Sequence, residues 1–334
     1  MSHVLHLGHQ PADVSGILDG HMSTNSQGFD ADLDVNAIAF LTVGNSDVLP
    51  FSVGFDAPVG DLWFQFRHRT PTTTAIEFNV SDVPFLSFYD ASHNLLARLR
   101  GQNDATIEAV AEGDSQVVGA TSFSRGAAVT YWIDVKLVVG SDITIEFHVD
   151  GSLVSSATAA NTGGKGKPVR VVFDNQDMHD STYGDADWYY AHFAALDGVS
   201  TIGRRFARQT PDTVGNYDQW AGSLASLGDG DVTTRMTSDT AGQRQNATLA
   251  GPTGPAGATI AGVHLKAIAQ AGTSGPGNLA GSLRLGVSDY DAASVSLDSE
   301  VPGKAIFSWA QNPDTSAAWT DADLPDEIGL LSAP

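Results

Sequence analysis

The sequence predicts an all-β protein built as two β-sandwiches in series. Three observations predict it. Short runs of alternating apolar and polar residues recur along the chain. Turn formers punctuate them, with 35 Gly and 14 Pro among many Ser, Thr, Asn and Asp. Helical spacing of apolar residues is sparse, whereas short strands separated by turn residues at regular intervals are the pattern of sandwiches.

Residues 1–36 are the least regular part and read as an N-terminal arm, a linker or an edge strand, a candidate attachment segment. A first sandwich is predicted over residues 37–200. Its strands are Leu62–His68, Ala75–Val80, Phe85–Tyr89, Leu95–Leu99, Thr106–Ala111, a meander over residues 130–156, Val169–Phe173 and Tyr189–Ala194. The meander reads TYWIDVKLVVGSDITIEFHVDGSLVSS. Tyr131, Ile133, Val135, Leu137 and Val139 share one face, and Trp132, Asp134 and Lys136 the other. After Gly140 and Ser141, Ile143, Ile145, Phe147 and Val149 alternate with Thr144, Glu146 and His148. Two-residue alternation marks a half-buried strand. The pair Asp150-Gly151 tolerates positive φ and closes a tight hairpin of the primed type. Two antiparallel sheets packed face to face bury all these inward faces at once.

Residues 201–208 contain the densest positive charge, Gly203-Arg204-Arg205-Phe206-Ala207-Arg208, and read either as a solvated linker or as a patch that pairs with an acidic neighbouring subunit. A second, smaller sandwich is predicted over residues 209–334, with strands at Gln243–Leu249, Ile260–Ala269, Leu283–Val287, Ala305–Trp309 and Ile328–Leu331. A single helical turn is expected after Thr320, which stands as a cap with acids behind it. Residues 251–257 resemble two collagen triplets, too few for a triple helix, and read as a turn-rich loop.

Composition limits the function. Lys+Arg number 17 against 39 Asp+Glu, a formal net charge of −22, so the surface repels nucleic acid and anionic lipid at long range and neither is an expected partner. No apolar run is long enough to span a bilayer, so no membrane insertion is expected. The start, MSHVLHLGHQPADVS, lacks a basic segment followed by an apolar core, and no secretory signal is predicted. Cysteine is absent, which excludes disulfides and thiolate chemistry and fits folding in a reducing cytoplasm.

The candidate site lies in residues 174–188, DNQDMHDSTYGDADW. Aromatic faces stack on sugar C–H surfaces while acids accept hydroxyl hydrogen bonds, so Asp177, Asp180, Tyr183, Asp185 and Trp188 are the expected carbohydrate-binding residues. Calcium takes six to eight oxygens from irregular loops, which makes Asp177, Asp180 and Asp185 its candidate ligands, although no Asp-x-Asp-x-Asp-Gly register is present. The alternative is a solvated acidic loop leading into a core strand, in which Tyr189, Ala191 and Phe193 face one way. His3, His6 and His9, with His21 further on, could bind a transition metal around a threefold axis; uncoordinated histidine is the plainer reading.

Several stretches carry a resemblance. YWIDVKLVVGSDITIEFHVDGSLV, followed by PVRVVFDN and WYYAHFAALDGVSTIG, resembles the concanavalin A-like (laminin-G-type) jelly rolls of virion proteins of tailed bacteriophages. Val214 to Trp220, VGNYDQW, and the pattern from Trp309 through Asn312, Pro313 and Thr315 to Trp319 and Thr320 look like the second β-sandwich of appendages in phages and gene transfer agents. The resemblance covers roughly Leu62 to Leu331, and the residues before Asn36 fall outside it. It implies a concanavalin A-like jelly roll followed by a smaller sandwich. It further implies a structural protein of a phage-like particle (head spike, fibre or tail appendage) that binds host capsular or surface polysaccharide. Such a protein assembles in the bacterial cytoplasm, sits on the particle surface, contacts other virion proteins and forms a homo-oligomer, with a trimer favoured. A cement or base protein without sugar binding is the alternative. A glycan-processing enzyme is the lesser one, because retaining hydrolysis needs two carboxylates about 5 Å apart. Resembling glucanases carry Glu-x-Asp-x-Glu or Glu-x-Asp-x-x-Glu on one strand. Neither pattern occurs around Glu77, Glu108, Glu112, Glu146, Glu300 or Glu327, and Asp150, four residues after Glu146, sits at a hairpin tip. No enzyme is expected.

Overall fold

The computed structural model describes residues 3–8, 13–15, 22–33, 35–40, 50–70, 82–102, 104–173, 188–228 and 233–334. By contacts the chain divides into two compact units, one of His3–Asp30 with Val35–Arg205 and one built on Phe206–Pro334.

The first unit is a jelly-roll sandwich. Its strands in chain order are β1 Val4–Gly8, β2 Met22–Asp30, β3 Val35–Phe40, β4 Phe51–Gly54, β5 Leu62–Arg69, β6 Val83–Asp90, β7 Leu95–Gly101, β8 Thr106–Glu112, β9 Gln116–Ser124, β10 Thr130–Val139, β11 Asp142–Val149, β12 Ser152–Ala160, β13 Pro168–Phe173 and β14 Trp188–Asp197. One sheet has the order β12-β11-β10-β5-β14-β3-β2, with β1 paired to β14; the other has the order β4-β13-β6-β7-β8-β9. All pairings are antiparallel, and the chain passes repeatedly from one sheet to the other. The residues before Asn36 thus supply β1 and β2 to the first sheet.

The meander forms as its alternation dictates. Tyr131, Ile133, Val135, Leu137 and Val139 are buried, as are Ile143, Ile145, Phe147 and Val149. Asp150 (φ 49°) and Gly151 (φ 82°) both take the left-handed region that a primed turn requires, and the Trp132 backbone N–H donates to the Asp150 carboxylate at 2.9 Å. Between the sheets, Phe51, Phe64, Phe66, Phe85, Phe88, Phe147, Phe173, Tyr190 and Phe193 are fully enclosed, and Phe51 stacks on Phe173 with centroids 4.4 Å apart. Each such ring contributes roughly 1.5–3 kcal/mol relative to exposure, enough to fix which face of every strand points inward.

One reading is corrected here. Tyr189, Ala191 and Phe193 do not form one inward row. The core takes Tyr190, then Phe193 and Ala195, because the β14–β5 register shifts between Ala191 and Ala194. Strand β9 was not anticipated, because its side chains are mostly exposed and its sequence does not alternate. The expected strand Ala75–Val80 lies outside the described residues.

The second unit is a smaller sandwich of β15 Thr210–Asp218, β16 Arg244–Ala250, β17 Val263–Ala269, β18 Asn278–Leu285, β19 Ser288–Asp291, β20 Val295–Ser296, β21 Gly303–Trp309 and β22 Glu327–Ala333. The order β15-β16-β22-β18-β19, with β20 on β18, makes one sheet, and β17-β21 makes a two-stranded one. Leu279, Leu283, Phe307, Trp309, Trp319, Ile328 and Leu330 form its own core. The layers approach closely: a Cβ added at Gly281 would lie 2.6 Å from the Phe307 ring, so only glycine fits there. The motif ending in Ala318-Trp319-Thr320 acts here as a structural staple. Trp319 is 2% exposed and its Nε1 donates to the Trp309 carbonyl at 2.8 Å. A single 3₁₀ turn, Asp321–Asp323, follows Thr320, whose hydroxyl donates to Asp323 at 2.5 Å.

Candidate functional site

Of the expected loop site, Asp177, Asp180, Tyr183 and Asp185 lie outside the described residues, so the carbohydrate and calcium assignments made on them do too. Trp188 opens β14 and pairs in register with Phe40; its side chain is likewise outside the description. His9 and His21 are also outside it. His6 is 1% exposed on β1, and His3 lies at the surface with Nδ1 3.1 Å from the Asp197 carbonyl oxygen. Among the described residues no group of three or more metal-ligating side chains comes together.

A different cluster does assemble, on the outer face of the first sheet. Because β10 pairs antiparallel with both β5 and β11, its outward residues stand directly opposite theirs. Trp132 faces Arg67, Asp134 faces Gln65 on one side and His148 on the other, and Lys136 faces Trp63 and Glu146. Cross-strand partners of this kind have Cβ atoms roughly 4.5–5.5 Å apart, so the side chains touch.

The fourth strand joins through a backbone irregularity. The β14 bulge holds His192 at φ 56°, in the left-handed region that costs a non-glycine residue energy. The bulge turns the His192 ring out of the core row and places it edge-on against Trp132, with centroids 4.7 Å apart. Residues Thr201 to Arg205 then run back over the same face. The Gln65 amide donates to Asp134 Oδ1 at 2.5 Å and to the Thr201 carbonyl at 2.9 Å. The Arg205 guanidinium carbon lies 3.7 Å from the centroid of the Trp132 ring, with that of Arg67 at 5.6 Å. Thr201 is 1% exposed and Arg205 is laid down on an indole, while Gly203 and Arg204 of the basic segment are exposed.

Burial lowers the pKa of Arg205, an effect opposed by the carboxylates of Asp134, Asp150 and Asp30 and reinforced by Arg67. Burial also lowers that of Arg67, opposed by Asp30. On the flank, Lys136 Nζ sits 3.7 Å from Glu146 and 3.8 Å from Asp61, over the Trp63 ring at 5.8 Å.

This face carries unmet hydrogen-bonding capacity, as Gln245 Nε2 and Asn246 Oδ1 do in the second unit. Asp134 has 0% exposure, yet its Oδ2 has no hydrogen-bond partner among the described residues. The same holds for His148 Nδ1 and Thr201 Oγ1, on residues 8% and 1% exposed. A buried carboxylate oxygen left without a donor costs about 1–3 kcal/mol or more, so folding alone does not select it. Two indoles, an acceptor carboxylate, an imidazole and guanidinium donors can grip a polyhydroxylated ring: stacking on its C–H face and hydrogen bonds to its hydroxyls. Sequence reasoning assigned Trp132, Asp134 and Lys136 to one face but left that face to solvent. The readable signal was the repetition of Trp-x-Gln-x-Arg and Trp-x-Asp-x-Lys on two strands that pair.

No protein-family model matches the chain, and no curated protein matches it. Among solved structures it is similar to the Cellulose induced protein Cip1 (14% identity over 57% of this chain and 93% of that one, TM-score 0.41). It is also similar to endo-β-1,4-glucuronan lyase from the fungus Trichoderma reesei (11% identity, 60% and 98% covered, TM-score 0.44). A third similar structure is the botulinum neurotoxin type G receptor binding domain (9% identity, 88% and 92% covered, TM-score 0.42). At these identities and TM-scores the likenesses carry no argument about ligand or activity.

Proposed function

We propose that this chain is a carbohydrate-binding structural module of a phage-like particle, and that the outer face of the jelly-roll sheet is where it holds host polysaccharide. The observation that carries the binding reading is the fully buried Asp134 with an unpartnered oxygen beside the stacked Trp132. The virion setting, the homotrimer and the contacts with other particle proteins are supported by the motif resemblance in the sequence. In this reading the protein is an attachment module and not an enzyme.

The test is binding of the purified chain to a glycan array and to host cells with and without capsule. Binding that depends on capsule, and that Trp132→Ala removes while the fold is retained, supports the assignment. Absence of binding together with copurification of a fibre partner would establish the cement or base-protein reading instead. A second reading, a glycan-processing enzyme, is favoured by the position of Asp134 opposite His148, an acid–base pair of residue types on one sheet face. Reducing-sugar release from capsule that Asp134→Asn abolishes would establish it.

A further inference from the structure

We infer that the saccharide taken by this face is acidic, a uronate whose carboxylate pairs with Arg205 as that guanidinium leaves the Trp132 ring. The inference rests on the carbohydrate reading above and specifies its ligand.

Arg205 occupies the place a sugar ring needs. Its guanidinium lies 3.7 Å from the indole centroid, within stacking distance. A saccharide that stacks on Trp132 from that side must displace it. The guanidinium donates a hydrogen bond to the neighbouring Arg204 carbonyl at 2.5 Å and forms no salt bridge with the carboxylates of Asp134, Asp150 and Asp30, which attract it without a direct contact. The remaining N–H donors form the planar fork that matches a carboxylate with two parallel hydrogen bonds. A neutral sugar would remove Arg205 from the aromatic face and give it only hydroxyls in return. A uronate returns an ion pair.

The opposite requirement comes from Asp134. Its Oδ2 is buried without a donor, so the same departure of Arg205 from Trp132 has to open the path by which a ligand hydroxyl reaches it. A ligand carboxylate placed against it would be repelled. The ligand must therefore present a hydroxyl to Asp134 and an anion to Arg205. A uronic acid ring does both, with its carboxylate on C5 and its secondary hydroxyls across the ring. Arg67, with its guanidinium 5.6 Å from the Trp132 ring, is a second cation near the indole, itself attracted by Asp30. Two guanidinium groups meeting on one indole are notable in a chain of net charge −22, whose general field repels acidic polymers. Selectivity on this face therefore has to be local, and short oligosaccharides are the suitable probes.

The experiment titrates the full chain with glucuronate, galacturonate and mannuronate tetrasaccharides, each paired with its carboxyl methyl ester, and follows calorimetry and tryptophan fluorescence. At least one acid form should bind, and esterification should weaken it about tenfold or more, the size of one charge-assisted hydrogen bond. Arg205→Gln should impose a similar loss on the acid and none on the ester. If the ester binds as tightly as the acid, the acidic specificity is wrong and the carbohydrate reading stands. If the uronates and their esters all fail, and capsule and array binding fail as well, both are wrong. Should Arg205→Gln disturb folding, the acid-against-ester comparison on the unaltered chain decides the question alone.

Discussion

Replacing Asp134 with asparagine separates a binding carboxylate from a structural one, because the two roles predict different stabilities. Asp134 lies at 0% exposure between Gln65 and His148, accepting one hydrogen bond from Gln65 at 2.5 Å and leaving Oδ2 without a donor. In Asp134→Asn the side-chain oxygen still accepts from Gln65, so a charge-assisted bond becomes a neutral one, a loss of about 1 kcal/mol. The nearby Arg205 loses an attractive charge, worth about 1 kcal/mol in a partly wet site. Against this, the unmet oxygen, a penalty of about 1–3 kcal/mol, is replaced by an amide that can donate to His148 Nδ1 or Thr201 Oγ1, both themselves unpartnered. The sum is near zero. The variant should therefore unfold within about 1 kcal/mol of the parent, a few degrees in Tm at most. Saccharide affinity should fall about tenfold or more for the lost charged acceptor. A structural member of a buried ion pair would instead lose about 3–5 kcal/mol. The assay is urea denaturation followed by fluorescence, alongside the saccharide titration. A loss above about 2 kcal/mol with unchanged binding would refute the assignment.

Two further changes test the second unit. His264, hydrogen-bonded to Ser308 at 2.9 Å, is driven down by burial to about 4. The unfolded chain takes up this proton near pH 6.5 and the folded one does not, so the contribution is full above pH 6.5 and is lost as pH falls toward 4. That loss reaches at most about 3 kcal/mol. The difference in denaturation midpoint between parent and His264→Gln should close or reverse across that window, and a difference independent of pH would count against the burial argument. Gly281→Ala puts a methyl 2.6 Å from the Phe307 ring and should lower stability by about 1–3 kcal/mol, read from the denaturation midpoint.

The fold was legible where side chains obey one rule over a whole strand. In β10 and β11 the apolar rows Tyr131 to Val139 and Ile143 to Val149 carried over into burial, with Asp134 and His148 on the other face buried as well, and Asp150-Gly151 formed the turn its torsion preferences demand. Legibility failed where the rule is broken by packing. β9 lies at a sheet edge with most side chains exposed, so nothing in its sequence has to alternate. In β14 a single bulge changes the phase, so His192 leaves the row that contains Tyr190, and no residue type in WYYAHFAALD announces that.

The candidate site shows the same division more sharply. Acid and aromatic density drew the sequence reading to residues 174–188, yet density along the chain is a weak guide in a sheet protein. Antiparallel pairing brings together residues such as Gln65, Asp134 and His148 that lie far apart in sequence. Their outward positions look like solvent-facing polar sites in each strand taken singly. Only the register shows that Asp134 is walled in by Gln65 and His148, and only the return of Thr201 to Arg205 makes it fully buried. Three polar atoms left unmet on one buried patch oppose stability, and so does the left-handed backbone at His192 beside them. An apolar residue in place of Asp134 would avoid the first of these costs. In the function proposed above, the hydroxyls of a bound saccharide supply the partners these atoms lack.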